Sequence, residues 1–307
     1  SLDNNTGFAA TPSRTAFPEH DPETGEVLAR FDRLAKWEMQ ARARALLPSQ
    51  KRLAKCHRVR YSTEVGVEVR RAKESGKAFY GGLIACGLVW LCPVCAPKIQ
   101  GVRAAEVAEA IEYWEQCGGI VELVTYTVPH HRSQRLEELD TAVRNAYRSM
   151  TGSRAYRELA QDLEVLGTIV APEVTWGAET GWHPHLHVLR FRRSGGAGGR
   201  QDARTSAPPD SALFELWRAA VVRAGLEAPS IRAFKVQNGT RAAEYVAKMG
   251  TDTYTWGTHD ELVRSHTKKG REGRYTPFDF LRNSLAELEG PWGSLWRDYA
   301  AVYRGGR

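Results

Sequence analysis

Apolar and polar residues recur along this chain in two periods, and the changes of period mark its elements. Leu34, Trp37, Ala41 and Ala45 stand at helical spacing, so 34–47 is expected as a helix that Pro48 ends. Val59 to Val69 alternates with the period of two that a strand requires. Val102, Val107, Ile111 and Trp114 predict an amphipathic helix over 99–116. The run Ile120-Val121-Glu122-Leu123-Val124-Thr125-Tyr126-Thr127-Val128, bounded by Gly119 and Pro129, is the strongest strand signal. Helices over 136–150 and 155–163 follow, then a strand over 169–176. Gly177-Ala178-Glu179-Thr180-Gly181 turns the chain into a second strand that holds His183 and continues through Val188-Leu189-Arg190-Phe191, so the pair reads as a β-hairpin. A Gly-, Ser-, Arg- and Pro-rich loop at 194–211 separates this hairpin from a helix at 212–224, a strand at 231–237 and a helix at 240–249. Aromatic-rich helices are expected near 278–288 and 292–303.

Strands separated by helix pairs imply an α+β fold, a central antiparallel sheet with helices packed on one face. Residues 1–33, rich in turn formers, read as a flexible leader. Residues 34–100 read as a cysteine-bearing N-terminal subdomain and 101–307 as the main domain. The 307 residues are 42% hydrophobic with 9 Trp and 11 Tyr, enough to bury a core. A net charge of +7 favours a polyanionic partner, nucleic acid or acidic lipid. Of the 43 basic residues 33 are Arg, the better bidentate phosphate ligand, although a GC-rich genome gives the same bias. The uncharged run Ala78–Pro97 has the length of a membrane span, but its three Cys, three Gly and two Pro exclude a membrane helix. Without an apolar segment in 1–30, the protein is expected in the cytoplasm, where five cysteines suggest metal binding more than disulfides.

Cys92-Pro93-Val94-Cys95 has the spacing of a zinc knuckle, and with Cys56 and Cys86 it supplies four thiolates for a tetrahedral Zn2+ site. His57 is an alternative ligand, and a redox C-x-x-C or plain buried cysteines are the competing readings. Cys117 has no partner in the pattern and is expected in the core. The run His183-Pro184-His185-Leu186-His187 places three imidazoles on one strand face. Two of them spaced i and i+2 can converge on one divalent cation. Glu173 across the hairpin or Glu179 in its turn would complete the site, and such a ligand set suits Mn2+ or Mg2+ with positions left for a phosphate. His183 is either a third imidazole ligand or a surface residue. Tyr245 and Lys248 share a helix face, and the ammonium could favour the phenolate of an attacking tyrosine. Tyr-x-x-Lys alone is an ordinary surface pair; the histidine strand upstream gives it chemical meaning.

Three segments stand in order: Val124-Thr125-Tyr126-Thr127-Val128-Pro129-His130; Glu173-Val174-Thr175 with Gly181-Trp182-His183-Pro184-His185-Leu186-His187; and Ala243-Glu244-Tyr245-Val246-Ala247-Lys248. Over roughly residues 50–304 this order resembles the rolling-circle plasmid replication initiators of the HUH endonuclease superfamily. The cysteine cluster and Tyr275-Thr276-Pro277-Phe278 are similar to its actinobacterial branch. The resemblance implies a sheet carrying the metal site, with His185, His187 and Glu173 as ligands, Tyr245 as nucleophile and Lys248 as its companion. It implies cleavage of single-stranded or hairpin-extruded origin DNA, leaving a 5′-phosphotyrosine and a free 3′-hydroxyl, with later strand rejoining. Host helicase and polymerase would be further partners, and family members continue beyond the position of Arg307. Some relatives carry a terminating Glu where this chain has Arg241, so either Glu244 or another acid takes that role or termination works differently. Arg190, Arg192, Trp182, Lys268 and Lys269 are candidates to guide and stack the strand. A mobilisation relaxase or single-strand transposase would use the same chemistry, whereas a zinc-stabilised DNA-binding regulator would use none of it.

Overall fold

A computed structural model describes residues 26–73, 76, 78–194, 209–238 and 273–304. Helix α1 (Glu26–Leu46) ends just before Pro48 and is followed by the short α2 (Lys51–Lys55). Strands β1 (Glu68–Arg71) and β2 (Ala78–Gly81) form a separate two-stranded ribbon. The cysteine loop leads into α3 (Ala96–Gln116), β3 (Gly119–Thr127), α4 (Leu136–Thr151) and α5 (Arg154–Asp162). The hairpin arms are β4 (Val165–Gly177) and β5 (Gly181–Arg193), followed by α6 (Pro209–Arg223) and β6 (Phe234–Asn238). After residues 239–272 come β7 (Arg274–Tyr275), α7 (Pro277–Ala286) and α8 (Trp292–Tyr303).

Five strands form one antiparallel sheet in the order β6-β3-β5-β4-β7. Gly181 closes the β4–β5 turn with φ +75, and a Cβ there would fall 2.8 Å from the Arg132 backbone. The period of two along β3 and β5 then decides what each face meets. Val124, Tyr126, Leu186 and Val188 pack against Val143, Ala146 and Met150 of α4 and against Leu213, Trp217 and Val221 of α6. The Trp217 indole N–H donates to the Thr127 carbonyl at 3.0 Å, which satisfies the polar atom of a fully buried ring. On the opposite face Val121, Leu123, Leu189 and Phe191 pack under Val107, Ile111 and Trp114 of α3. Helices therefore cover both faces, not one as the sequence suggested. The histidines share the α3 face, further along β5.

A third core joins distant parts of the chain. Met39 and Ala43 of α1, the four clustered cysteines, Leu136 and Leu139 of α4, Val174 and Trp182 of the hairpin, and the buried residues of α7 and α8 form one apolar cluster. The boundary expected near residue 100 cuts through this core. Two further expectations change. Helix α1 begins at Glu26, inside the stretch read as a leader. The alternation of 59–69 yields regular strand only from Glu68, because among the described residues no second layer covers this ribbon and its strands are exposed on both sides.

Candidate metal centres on the sheet and in the cysteine loop

Strand register brings the first candidate centre together. Glu173 of β4 stands opposite His185 of β5, and Ala171 opposite His187, so the carboxylate sits between the two imidazole rows. One Glu173 oxygen, Oε2, lies 3.1 Å from His185 Nε2 and 2.8 Å from His187 Nε2. Cis ligands at ~2.1 Å around an octahedral cation lie ~3.0 Å apart, so these edges match a metal site as well as direct hydrogen bonds. The other ring nitrogens are also occupied. His185 Nδ1 lies 3.3 Å from the His183 carbonyl and His187 Nδ1 3.1 Å from Thr125 Oγ1. With a metal bound, protons on Nδ1 would turn both Nε2 lone pairs toward the site, the outer support typical of metal-bound histidine. His185 and His187 are only 8% and 4% exposed, and burial pushes the His187 imidazole below its ordinary range. Burial alone would raise the Glu173 carboxyl, but hydrogen bonds from His185 and His187 outweigh it and hold it below the usual range. Two converging imidazoles and an ionised carboxylate form a ready donor set for a divalent metal.

Of the two acids weighed for this site, Glu173 takes it, while Glu179 is exposed in the turn. His183 is not within the cluster. Its ring packs on His130 with centroids 4.7 Å apart, and the two Nδ1 atoms lie 3.4 Å apart. Burial, with His185 and His130 beside it, pushes His183 down to about 3. Among the described residues, His130 Nε2 and Thr175 Oγ1 are buried without a hydrogen-bond partner. Tyr245, Lys248, Lys268 and Lys269 lie outside the described residues.

The second centre is the cysteine cluster. Zinc bound by four sulfurs at ~2.3 Å holds them ~3.8 Å apart. The separations here are 3.6 Å for Cys56–Cys95, 3.6 Å for Cys86–Cys95 and 3.8 Å for Cys56–Cys92. All four cysteines are buried, and each is a free thiol rather than half of a disulfide. Gln40 Nε2 donates to Cys92 Sγ at 3.2 Å, and the Cys86 backbone N–H to Cys56 Sγ at 3.4 Å. Thiol donation from Cys56 and Cys86 brings Cys92 down to about 7 and Cys95 lower still, whereas Cys86 is pushed up by the neighbouring sulfurs. Four crowded thiols cannot all ionise unaided, and a bound cation would let them. His57, weighed as a substitute ligand, is not one of the four converging ligands; it lies beside Cys95 and meets the Trp37 ring edge, with centroids 5.3 Å apart. Cys117, expected in the core, is exposed at the end of α3.

Three residues expected to touch DNA are buried. Arg190 and Arg192 are 2% and 5% exposed, on the face that packs under α4 and α6. Glu122 accepts from Arg190 Nη2 at 2.6 Å and lies 3.3 Å from Arg192 Nε. Trp182 packs edge-on against Phe280 with centroids 5.6 Å apart. Even-numbered residues of β5 point away from the histidines, so the alternation that grouped the imidazoles also assigned these three to the core. The sequence reading gave no role to Thr125 or Glu122. Both were legible only through the β3–β5 register, which places Thr125 opposite His187 and Glu122 opposite Arg190.

With the geometry in view, similarity to known proteins adds a family context. No family model matches the chain, and no solved structure matches it. A Streptomyces lividans protein named "Protein rep" is 29% identical, with the match covering 76% of this chain and 63% of that protein. A Streptomyces cyanogenus protein named "Neomycin resistance protein" is 32% identical over 46% of this chain and 38% of its own length. The chain thus spans less than two thirds of each of these curated relatives. Both are actinobacterial, and the similarity agrees with the resemblance to an actinobacterial plasmid Rep read from the motifs.

Proposed function

We propose that this chain carries the DNA-nicking part of a plasmid replication initiator and cuts a single strand of origin DNA with Tyr245. The observation that carries this reading is the convergence of Glu173 with the Nε2 atoms of His185 and His187, both oriented from behind through Nδ1. Those three residues would hold Mn2+ or Mg2+, which supplies positive charge to polarise the scissile phosphate. Everything else falls to the chain's own groups. Burial favours the neutral His187 imidazole as a ligand, and Glu173 stays ionised.

The Tyr245 oxygen attacks phosphorus, the bond to the 3′ oxygen breaks, and that oxygen takes a proton from solvent to leave as a free 3′-hydroxyl. The 5′ phosphate remains on tyrosine, and the reverse step rejoins strands without nucleotide hydrolysis. Lys248, three residues further along the chain, favours loss of the phenol proton to solvent. Covalent reach permits the arrangement. Strand β6 pairs with β3, Lys235 stands opposite Thr125, and Thr125 stands opposite His187. Tyr245 is seven residues beyond Asn238, the end of β6. That length of chain spans at most ~25 Å. The four-cysteine cluster would hold Zn2+ as a structural ion.

The test is a denaturing gel of the protein incubated with Mn2+ and single-stranded DNA from its own replicon, beside Tyr245→Phe and an EDTA sample. A slower protein band that carries DNA and vanishes in both controls is expected. No adduct on cognate DNA, with duplex binding intact, would replace this reading with that of a DNA-binding regulator.

A further inference from the structure

The chain between the first two clustered cysteines, Cys56 and Cys86, leaves the body of the protein as a β-ribbon. Its base is laced by hydrogen bonds from His57 N to Ile84 O at 2.7 Å, Ile84 N to Val59 O at 2.9 Å and Tyr61 N to Gly82 O at 2.8 Å. The Cys86 backbone N–H also donates to the Cys56 sulfur, so the four-sulfur cluster pins both legs. Beyond this base, Glu68–Arg71 pairs with Ala78–Gly81.

A bare two-stranded ribbon is marginal in water, and a chain that keeps one normally hides its apolar side. This one does not. Tyr61 is 77% exposed, Val69 72% and Tyr80 63%, with Val69 and Tyr80 directly opposite on one face. Phe79 is exposed on the other face opposite Arg70. The charge is one-sided: Arg58, Arg60, Arg70, Arg71 and Lys73 outnumber Glu64 and Glu68 among the described residues of the ribbon. Exposed aromatic rings interleaved with guanidinium groups match phosphate, base edges and stacked bases better than they match an apolar protein surface. A two-stranded ribbon also has the dimensions that the major groove of duplex DNA admits.

We propose that this cysteine-anchored ribbon is a grip for duplex DNA, separate from the histidine face, that docks the protein beside the strand to be cut. The inference takes DNA as partner from the reading above but does not need Tyr245 chemistry. Arg70 and Arg71 contact phosphates or base edges from opposite faces of the ribbon, and Tyr80 supplies apolar contact.

The test measures binding of the full chain to a mixed-sequence linear duplex by fluorescence anisotropy over a salt series. The variants are Arg70→Gln/Arg71→Gln, Tyr80→Ala and, as a charge-matched control on α5, Arg154→Gln/Arg157→Gln. Each phosphate contact contributes ~0.9 to the salt slope, so the ribbon pair is expected to flatten the slope by ~1–2 and weaken low-salt binding about tenfold. Tyr80→Ala is expected to weaken binding at an unchanged slope, which loss of bulk charge cannot do. The α5 pair should leave the slope near that of the parent. The adduct with a short single-stranded oligonucleotide at saturation should match the parent in every variant, so failure of the nuclease reading would show in the parent itself and leave the duplex result standing. Equal effects of the ribbon and α5 pairs, with Tyr80→Ala neutral, would overturn the proposal. So would a change in sedimentation of the ribbon variants without a change in DNA affinity, which would make the ribbon a protein-binding face.

Discussion

Glu122→Gln isolates the electrostatics of the β3–β5 pair. The substitution keeps shape and an acceptor oxygen but removes the carboxylate that forms ion pairs with two buried guanidinium groups. Glu122, Arg190 and Arg192 have side chains only 15%, 3% and 6% exposed, with separations of 2.6 and 3.3 Å. Among the described residues Arg190 Nε and Arg192 Nε make no hydrogen bond, and ion pairs with Glu122 supply much of the compensation of both arginines. Removing one partner of such a group strands an uncompensated buried charge, at about 3–5 kcal/mol. Asp210 is near enough to feel both arginines, but burial raises its carboxyl, so it offsets only part of the loss and places the estimate at about 3 kcal/mol. At roughly 2–4 °C per kcal/mol for a domain of this size, the melting midpoint should fall by about 6–12 °C. Differential scanning calorimetry reads this directly, and the shift should persist in high salt because the site is buried. Adding Arg190→Met to Glu122→Gln should recover part of it, since the stranded charge goes with the side chain. A midpoint unchanged in Glu122→Gln, or an Arg190→Met variant that loses DNA affinity while melting normally, would refute the assignment of these arginines to the core.

Three further outcomes follow from the two centres. Glu173→Ala should weaken Mn2+ binding by at least ~10–100-fold, whereas Glu179→Ala should leave it unchanged, as read by titration calorimetry. The protein should copurify with zinc that a chelator and thiol reagent release together. Cys92→Ser should lose that zinc and unfold at lower temperature, and Cys117→Ser should keep both. His183 has its imidazole pushed from 6.5 to about 3 by burial. The unfolded chain takes up that proton first, so stability is full above about pH 6.5 and falls as pH drops toward 3; a His183→Gln variant whose acid melting profile is as steep as the parent's would contradict this.

Periodicity read this fold well wherever a period had a single physical cause. The hairpin around Gly181 and the strand 119–127 were legible because alternation and turn chemistry agreed. The same alternation misled at 59–69, where polar and apolar residues alternate without a buried face. There the pattern reports two exposed surfaces of different chemistry rather than an inside and an outside. Charge was the weaker guide. Arg190 and Arg192 looked like DNA ligands because arginine is usually exposed, and only the register that sets Glu122 opposite Arg190 reveals an internal ion cluster. The choice of Glu173 over Glu179 had the same origin, since spacing along the chain allowed both and only cross-strand pairing favoured one.

The cysteine cluster and the histidine face are mechanically linked. Val174 and Trp182, which share a core with the four cysteines, are neighbours in sequence of Glu173 and His183 but point to the opposite side of the sheet. The apolar packing anchored by the cysteines therefore forms the backing of the hairpin segment that presents the acid. Trp182 meets Phe280 of α7, and Tyr303 of α8 donates to Asp140 of α4 at 2.7 Å, so the backing is tied into three helices. A loosened cysteine loop would shift β4 against β5. The Glu173–His185 and Glu173–His187 separations depend on that pairing, so loss of structural metal should weaken divalent-cation binding at a site that shares none of its ligands. Calorimetric Mn2+ titration of Cys92→Ser at a temperature where it remains folded measures that coupling, and an affinity equal to the parent's would show that the two centres are independent.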